Sequence, residues 1–246
     1  VNEDLLFYVL IGFIAQLVDG ALGMAYGVTA SSFLIGLGLP PAVVSSTVHA
    51  AECFTTGASA VSHHAFGNIN KSLFFKLLLP GIIGAFTGAY LLTQIPGDAI
   101  KPWISAYLLL MGVVLIIKAV RAFPPQSVTT HVRPLAFFGA FIDAIGGGGW
   151  GPIVGSTLLA RGNPFRETVG SVNAVEFFVT LSASFGFLLG IGLAHWNVIL
   201  SLAAGGVVAA PIGAWICKRV PHRPFLILVG LVVIGLSLRT LLKSFS

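Results

Sequence analysis

The stretch Asp19–Gly27, DGALGMAYG, sets an acid and three glycines inside a run that is otherwise apolar, and it returns 124 residues later as Asp143–Gly151, DAIGGGGWG. Aligned at that shift without a gap from Asp19 to Ala60, the two copies share twelve identities in 42 positions. Among them are Asp19/Asp143, Gly23/Gly147, Gly27/Gly151, Pro40/Pro164 and Glu52/Glu176. The chain is a duplication, and each copy carries its own helix-breaking stretch.

Around these breaks the composition is that of a membrane protein. The 246 residues are 56% hydrophobic and 9% charged, with a mean hydropathy of +0.97, against roughly 25% charged in a soluble domain. Hydrophobic runs of about twenty residues recur along the chain, which buried strands of about five to six residues do not explain. The fold class expected is an all-α polytopic membrane protein. Its net charge of +5 comes from thirteen basic residues scattered over loops. They form no aromatic-interleaved patch, which excludes a nucleic-acid partner, and they read as topology signals. Cys53 and Cys217 sit in apolar runs and read as small buried hydrophobes, not as a disulfide framework. The acidic opening Asn2-Glu3-Asp4 is unlike the basic start of a signal peptide, so the first hydrophobic run reads as retained structure.

Leu5 to Leu17 is apolar, is interrupted at Asp19 to Gly23 and resumes from Met24 to Leu37. Arms of about 13 residues span only about 20 Å, short of the roughly 30 Å hydrocarbon core, so neither is expected to cross alone. Spans over 43–66, 73–95 and 102–120 follow, then a polar linker at 121–133. The second half repeats the plan with arms at 134–145 and 150–160 and spans at 168–193, 196–217 and 225–242. The expected organisation is a first repeat 1–120 with a broken hairpin at 5–37, the linker, and a second repeat 134–246 with its hairpin at 134–160.

Charge chooses between two topologies. If each broken pair is one kinked crossing, the halves lie parallel and the basic residues split seven to six between the two sides. If each pair is a re-entrant hairpin, the halves are inverted. Lys71, Lys76, Lys118, Arg121, Arg133, Arg161, Arg166, Lys218, Arg219 and Arg223 then share one side, leaving Lys101, Arg239 and Lys243 on the other. The positive-inside rule favours the inverted repeats, with the linker in the cytoplasm and both termini outside.

Re-entrant backbone at membrane depth must face protein or a wet cavity, because lipid satisfies no N–H or C=O group. Hairpins entering from opposite sides bring their tips together near the midplane, where half-helix N-termini present positive dipole ends to an anion. The candidate substrate-binding residues are Gly20, Gly23, Met24, Tyr26, Ser31, Gly147, Gly148, Gly149, Trp150, Ser171 and Asn173, with Ser32 a further hydroxyl. Helix packing is the plainer reading of the serines and of the Tyr26/Trp150 pair. Glu52 and Glu176 lie near mid-depth, with His49 and Asn173 one turn earlier on the same helix face. They are candidate coupling groups, or supports for the unwound backbone. Asp19 and Asp143 fit as caps of the breaks. His63-His64 reads as interfacial. His49-x-x-Glu52 has no metal-binding twin, so no metal or other cofactor is expected. The Gly146, Gly148, Gly151 spacing lacks the βαβ context of a dinucleotide site.

These residues carry a resemblance. Gly12, Asp19, Gly20, Gly23 and Gly27, the turn from Pro40 to Ser46, Glu52, and Asp143–Pro152 (DAIGGGGWGP) resemble the TauE/SafE family of sulfite exporters, also called 4-toluene sulfonate uptake permeases. The resemblance covers nearly the whole chain. It implies transport of sulfur-containing anions, sulfite or organosulfonates, across the cytoplasmic membrane of prokaryotes, and the exporter members are the nearest in kind. The reading is thus a secondary transporter whose partners are a small anion and the lipid bilayer, working by alternating access with possible proton coupling. An uncoupled anion channel and an intramembrane enzyme built on Asp19/Asp143 are the alternatives. Neither the sulfur anion nor the oligomeric state is fixed by sequence.

Overall fold

The computed structural model describes residues 5–120, 130–217 and 223–244, and every regular element among them is helical. In chain order these are α1 (Leu5–Leu22), α2 (Tyr26–Gly36), α3 (Pro41–Ala65), α4 (Lys71–Thr93), α5 (Gly97–Val120) and α6 (Val132–Gly146). A π-helical turn, Trp150–Gly155, runs into α7 (Ser156–Ala160), followed by α8 (Phe165–Gly190), α9 (Trp196–Ile216) and α10 (Arg223–Ser244). Most of the linker, 121–129, the basic pair Lys218 and Arg219, and the extreme termini lie outside the described residues.

Five helices among the described residues are long and apolar enough to cross a membrane: α1, α4, the 99–117 stretch of α5, α8 and α9. The chain is a multi-pass membrane protein. Including α1 in this set corrects the expected boundary of the first arm. α1 continues through Asp19 and Gly20 to Leu22, and its 18 residues reach about 27 Å. Gly20 does not end the helix, because it serves packing: a Cβ there would lie 3.3 Å from the Gly213 Cα of α9. The chain breaks only at Gly23–Ala25, where Gly23 takes φ 69° and Ala25 φ 105°.

The 25-residue α3 is absent from the apolar set because it carries Ser45, Ser46, Thr47, His49, Glu52, Thr55, Thr56, Ser59 and His63, all buried. Such a helix is stable at membrane depth only when surrounded by protein. Accordingly α3 packs against α8 and α9 and touches α2, α5 and α6.

Contacts fix the direction of each helix. His49 faces Phe187, Cys53 Ser184, Gly57 Phe177 and Ser59 Asn173, so α3 and its counterpart α8 run antiparallel. Gly112 against Ile234 and Ile116 against Gly230 set α5 and α10 antiparallel as well. Gly84 on Phe137 and Gly88 on Phe141 make α4 and α6 parallel, as Gly12 on Leu202 and Gly20 on Gly213 make α1 and α9. Asp19 and Gly23 meet Asn173 and Val169, so α1 runs against α8 and with α3. Between them α2 returns: Gly27 lies beside Glu52, and Ser31 and Ser45 share the neighbourhood of Gly147.

Candidate functional site

Two breaks end up in the same place. A Cβ on Gly27 would lie 2.7 Å from the Gly148 Cα, one on Gly148 2.2 Å from the Val28 nitrogen, and one on Gly151 2.4 Å from the Met24 Cα. Backbones this close tolerate only glycine. Gly148 adds a φ of 152°, which side chains rarely adopt. Ser31 Oγ donates to the Gly147 carbonyl across the contact, and Ser45 Oγ donates to the Ala144 carbonyl at 2.6 Å.

Asp143 organises the second break. It sits inside α6, one turn before the helix ends, and reaches past the turn. Its Oδ1 accepts from the backbone N–H of Gly149 at 2.6 Å and of Trp150 at 3.0 Å, satisfying donors that the new helical segment leaves open. Its Oδ2 lies 3.1 Å from His49 Nε2. His49 Nδ1 is 2.8 Å from the Ser45 carbonyl, which only accepts, so Nδ1 carries a proton. The Nε2–Oδ2 contact then holds one shared proton, and the His49–Asp143 pair is neutral as a unit. Tyr107 of α5 completes this side by donating to the Gly148 carbonyl at 2.9 Å. Its ring occupies the space a Cβ on Gly146 would need, and its hydroxyl the space beside Gly149.

The first break is built on the same plan with different partners. The Asp19 carboxyl lies near the Tyr26 backbone, at the position matching that of Asp143 beside Trp150. The counterpart of His49 is Asn173, and it is engaged elsewhere: its Oδ1 accepts from Ser59 Oγ at 2.8 Å, while its Nδ2 donates to the Val169 carbonyl at 3.2 Å and lies 3.5 Å from the Asp19 carbonyl. Asp19 Oδ2 is buried without a hydrogen-bond partner, as are Glu176 Oε2 and both amide atoms of Gln16. Glu52 directs Oε1 toward Gly27. Asp19, Glu52, Asp143 and Glu176 are close enough to act electrostatically on one another, and all four are nearly or fully buried.

Several sequence candidates do not face the meeting of the breaks. Ser171 Oγ accepts from the Asn70 backbone N–H at 2.9 Å and ties down the α3–α4 loop. Trp150 is fully buried, donates Nε1–H to the Val172 carbonyl at 3.1 Å and packs its ring on Gly81 of α4, so it anchors the break from behind. Gly20 lies in the α1–α9 contact. Met24 and Gly23, in contrast, belong to the meeting, lying at the first break against Gly151 and Gly155. Ser32 is buried without a partner.

His63 turns inward to the protein. It is fully buried, accepts from Asn68 Nδ2 at Nδ1 (3.0 Å), and so donates Nε2–H to the Gly20 carbonyl at 3.0 Å. His64 alone is exposed. Sequence reasoning also passed over Tyr107, Gln16 and Ser45. The available signal was a polar side chain in an apolar span; what it touches was not readable. Among the described residues no group of three or more His, Cys, Asp or Glu could hold a metal ion.

Comparison with known proteins identifies the family. The family described as "Sulfite exporter TauE/SafE" matches residues 8–240. The chain is 44% identical over 252 residues to "Probable membrane transporter protein YtnM" of Bacillus subtilis (strain 168), covering 98% of this chain and 84% of that protein. It is 26% identical over 251 residues to "Probable membrane transporter protein ORF9" of Sinorhizobium sp, covering 97% and 95%. No solved structure matches. With the family spanning nearly every helix described above, the chain is a membrane transporter of the TauE/SafE sulfite exporter family.

Proposed function

We propose that this chain is a secondary transporter exporting a small sulfur oxyanion, sulfite or an organosulfonate, by alternating access across the cytoplasmic membrane of a prokaryote. The observation carrying the reading is the second break, where two backbone N–H groups already hold an oxyanion, the Asp143 carboxylate. A site that holds a carboxylate on the N–H groups of a helix start has the chemistry to hold a sulfite or sulfonate group. Substrate binds by displacing the internal carboxyl, while the hydroxyls of Tyr26 and Ser31 and the glycine backbone of 23 and 147–149 line the exchange.

Inverted repeats supply the movement. Each half is read as a re-entrant hairpin followed by three crossings, the halves spanning 1–120 and 134–246. Supporting this, α3 runs antiparallel to α8 and α5 to α10, while α2 returns beside α3. Two hairpins meeting from opposite sides of a bilayer let one open while the other seals. The basic residues then place the linker in the cytoplasm and both termini outside. A labelling assay that finds the C-terminus in the cytoplasm would reverse that orientation.

The test is flux in liposomes containing purified protein. Saturable counterflow of sulfite or methanesulfonate is expected, whereas ohmic conductance indicates a channel. No flux of sulfite, sulfate, thiosulfate or methanesulfonate under either direction of pH gradient would sink the reading.

A further inference from the structure

We infer that the two breaks are not equivalent in charge: the second carries its own counter-ion, and the first takes an exchangeable proton, shared among Asp19, Glu176 and Gln16, that is moved with the substrate. This rests on the transporter reading and assigns its coupling site, shifting the role from the Glu52/His49 pair suggested by sequence.

Three observations carry it. The pair Asp143–His49 is complete: Oδ1 takes two backbone N–H groups, Oδ2 takes the imidazole, and the unit is neutral. At the pseudo-equivalent position Asn173 replaces the imidazole and is consumed by Ser59 and backbone carbonyls, so Asp19 Oδ2 has no cationic partner. Beside it, Glu176 Oε2 and both amide atoms of Gln16 are buried and unpartnered, Gln16 being one turn before Asp19 on the same face of α1 and fully buried. Gln16 is set in the α1–α9 contact near Thr55, whose neighbour across the break is the Tyr26 hydroxyl. Its counterpart in the second half is Ala140, so the amide belongs to the first site alone.

The groups facing this site are limited. From α2 comes Tyr26; from α3, Glu52 and, at the Gly20 carbonyl, the neutral His63; from α6, Asp143 already paired with His49; from α8, Glu176. The packed helix α9 contributes no ionisable side chain. At membrane depth a carboxylate oxygen without a partner is costly, and an incoming anion raises the cost further. Adding one proton to a carboxyl oxygen removes a charge, creates an O–H donor, and gives Gln16 Oε1 something to accept. Releasing that proton restores the anion that expels substrate.

The experiment uses the full chain in liposomes with sulfite as probe and a pH-sensitive dye trapped inside. Wild type is expected to show sulfite flux stimulated about tenfold by a proton gradient, with matching dye signal. Asp19→Asn and Glu176→Gln are expected to lose that stimulation and the dye signal while sulfite counterflow, which needs no net proton movement, falls by less than about threefold. Asp19→Glu and Glu176→Asp, which keep a titrating group, are expected to recover stimulation, and Gln16→Leu to weaken it. Counterflow and stimulation falling together in all of these variants means a structural role and overturns the inference. So does undiminished stimulation in Asp19→Asn and Glu176→Gln, or stimulation by a sodium gradient in place of protons. Absence of sulfite flux in wild type overturns the transporter reading for this anion first, and the coupling assignment with it.

Discussion

The two breaks share a sequence pattern and solve the same backbone problem differently. Asp143 closes the second break with two N–H groups and an imidazole, and Tyr107 holds the neighbouring carbonyl. Asp19 lies near the corresponding backbone, with Oδ2 unpartnered and an unpartnered Gln16 one turn before it. Two helix breaks require two caps, but nothing requires two identical charge states. With Asn173 at the position matching His49, the Asp143 Oδ2 has an imidazole partner and the Asp19 Oδ2 has none.

The widest effect is expected where the breaks touch. Gly148→Ala pushes a Cβ into the Val28 backbone at a φ of 152°, and loss of monodisperse folded protein is the expected outcome. Gly38→Ala, at φ 98° but in open space, costs about 1–3 kcal/mol from strain alone; thermal melts in detergent that rank the two equally would mean the breaks do not bear on each other.

Next comes the asymmetry itself. Asp143→Ala strands an imidazole and two N–H groups and is expected to cost about 3–5 kcal/mol. Asp19→Ala removes a group with fewer partners and is expected to cost about 1–3 kcal/mol. Equal losses of melting temperature would erase the distinction between the sites.

A smaller effect isolates Tyr107. Tyr107→Phe keeps the ring against Gly146 but deletes the hydroxyl beside Gly149 and its bond to the Gly148 carbonyl, an expected loss of about 1 kcal/mol. The smallest effect is expected from Ser171→Ala, about 0.6 kcal/mol for a bond between membrane helices and their loops, with sulfite flux retained. A large loss of flux there would return Ser171 to the substrate path.

The existence of two breaks, and the place of the second, were legible because glycine and aspartate stand out in an apolar chain. The boundary at Asp19 was misplaced for a physical reason: glycine in a membrane helix signals close packing as often as a break, and Gly20 against Gly213 is packing. His63 was read from its nearness to a helix end, yet the α3–α4 loop folds Asn68 over it and buries it. The sequence could not show that Ser171 turns to the Asn70 backbone and Trp150 to the Val172 carbonyl, because both partners come from tertiary packing.

Sequence alone determined that the chain is helical, membrane-spanning and doubled, because hydropathy and repetition are properties of the chain in order. Only tertiary structure decided which break is neutralised. That depends on His49 of one half meeting Asp143 of the other across 94 positions, while Asn173 turns to Ser59. Charge balance at membrane depth is set by such long-range partners, and an aligned pair of acids does not reveal them.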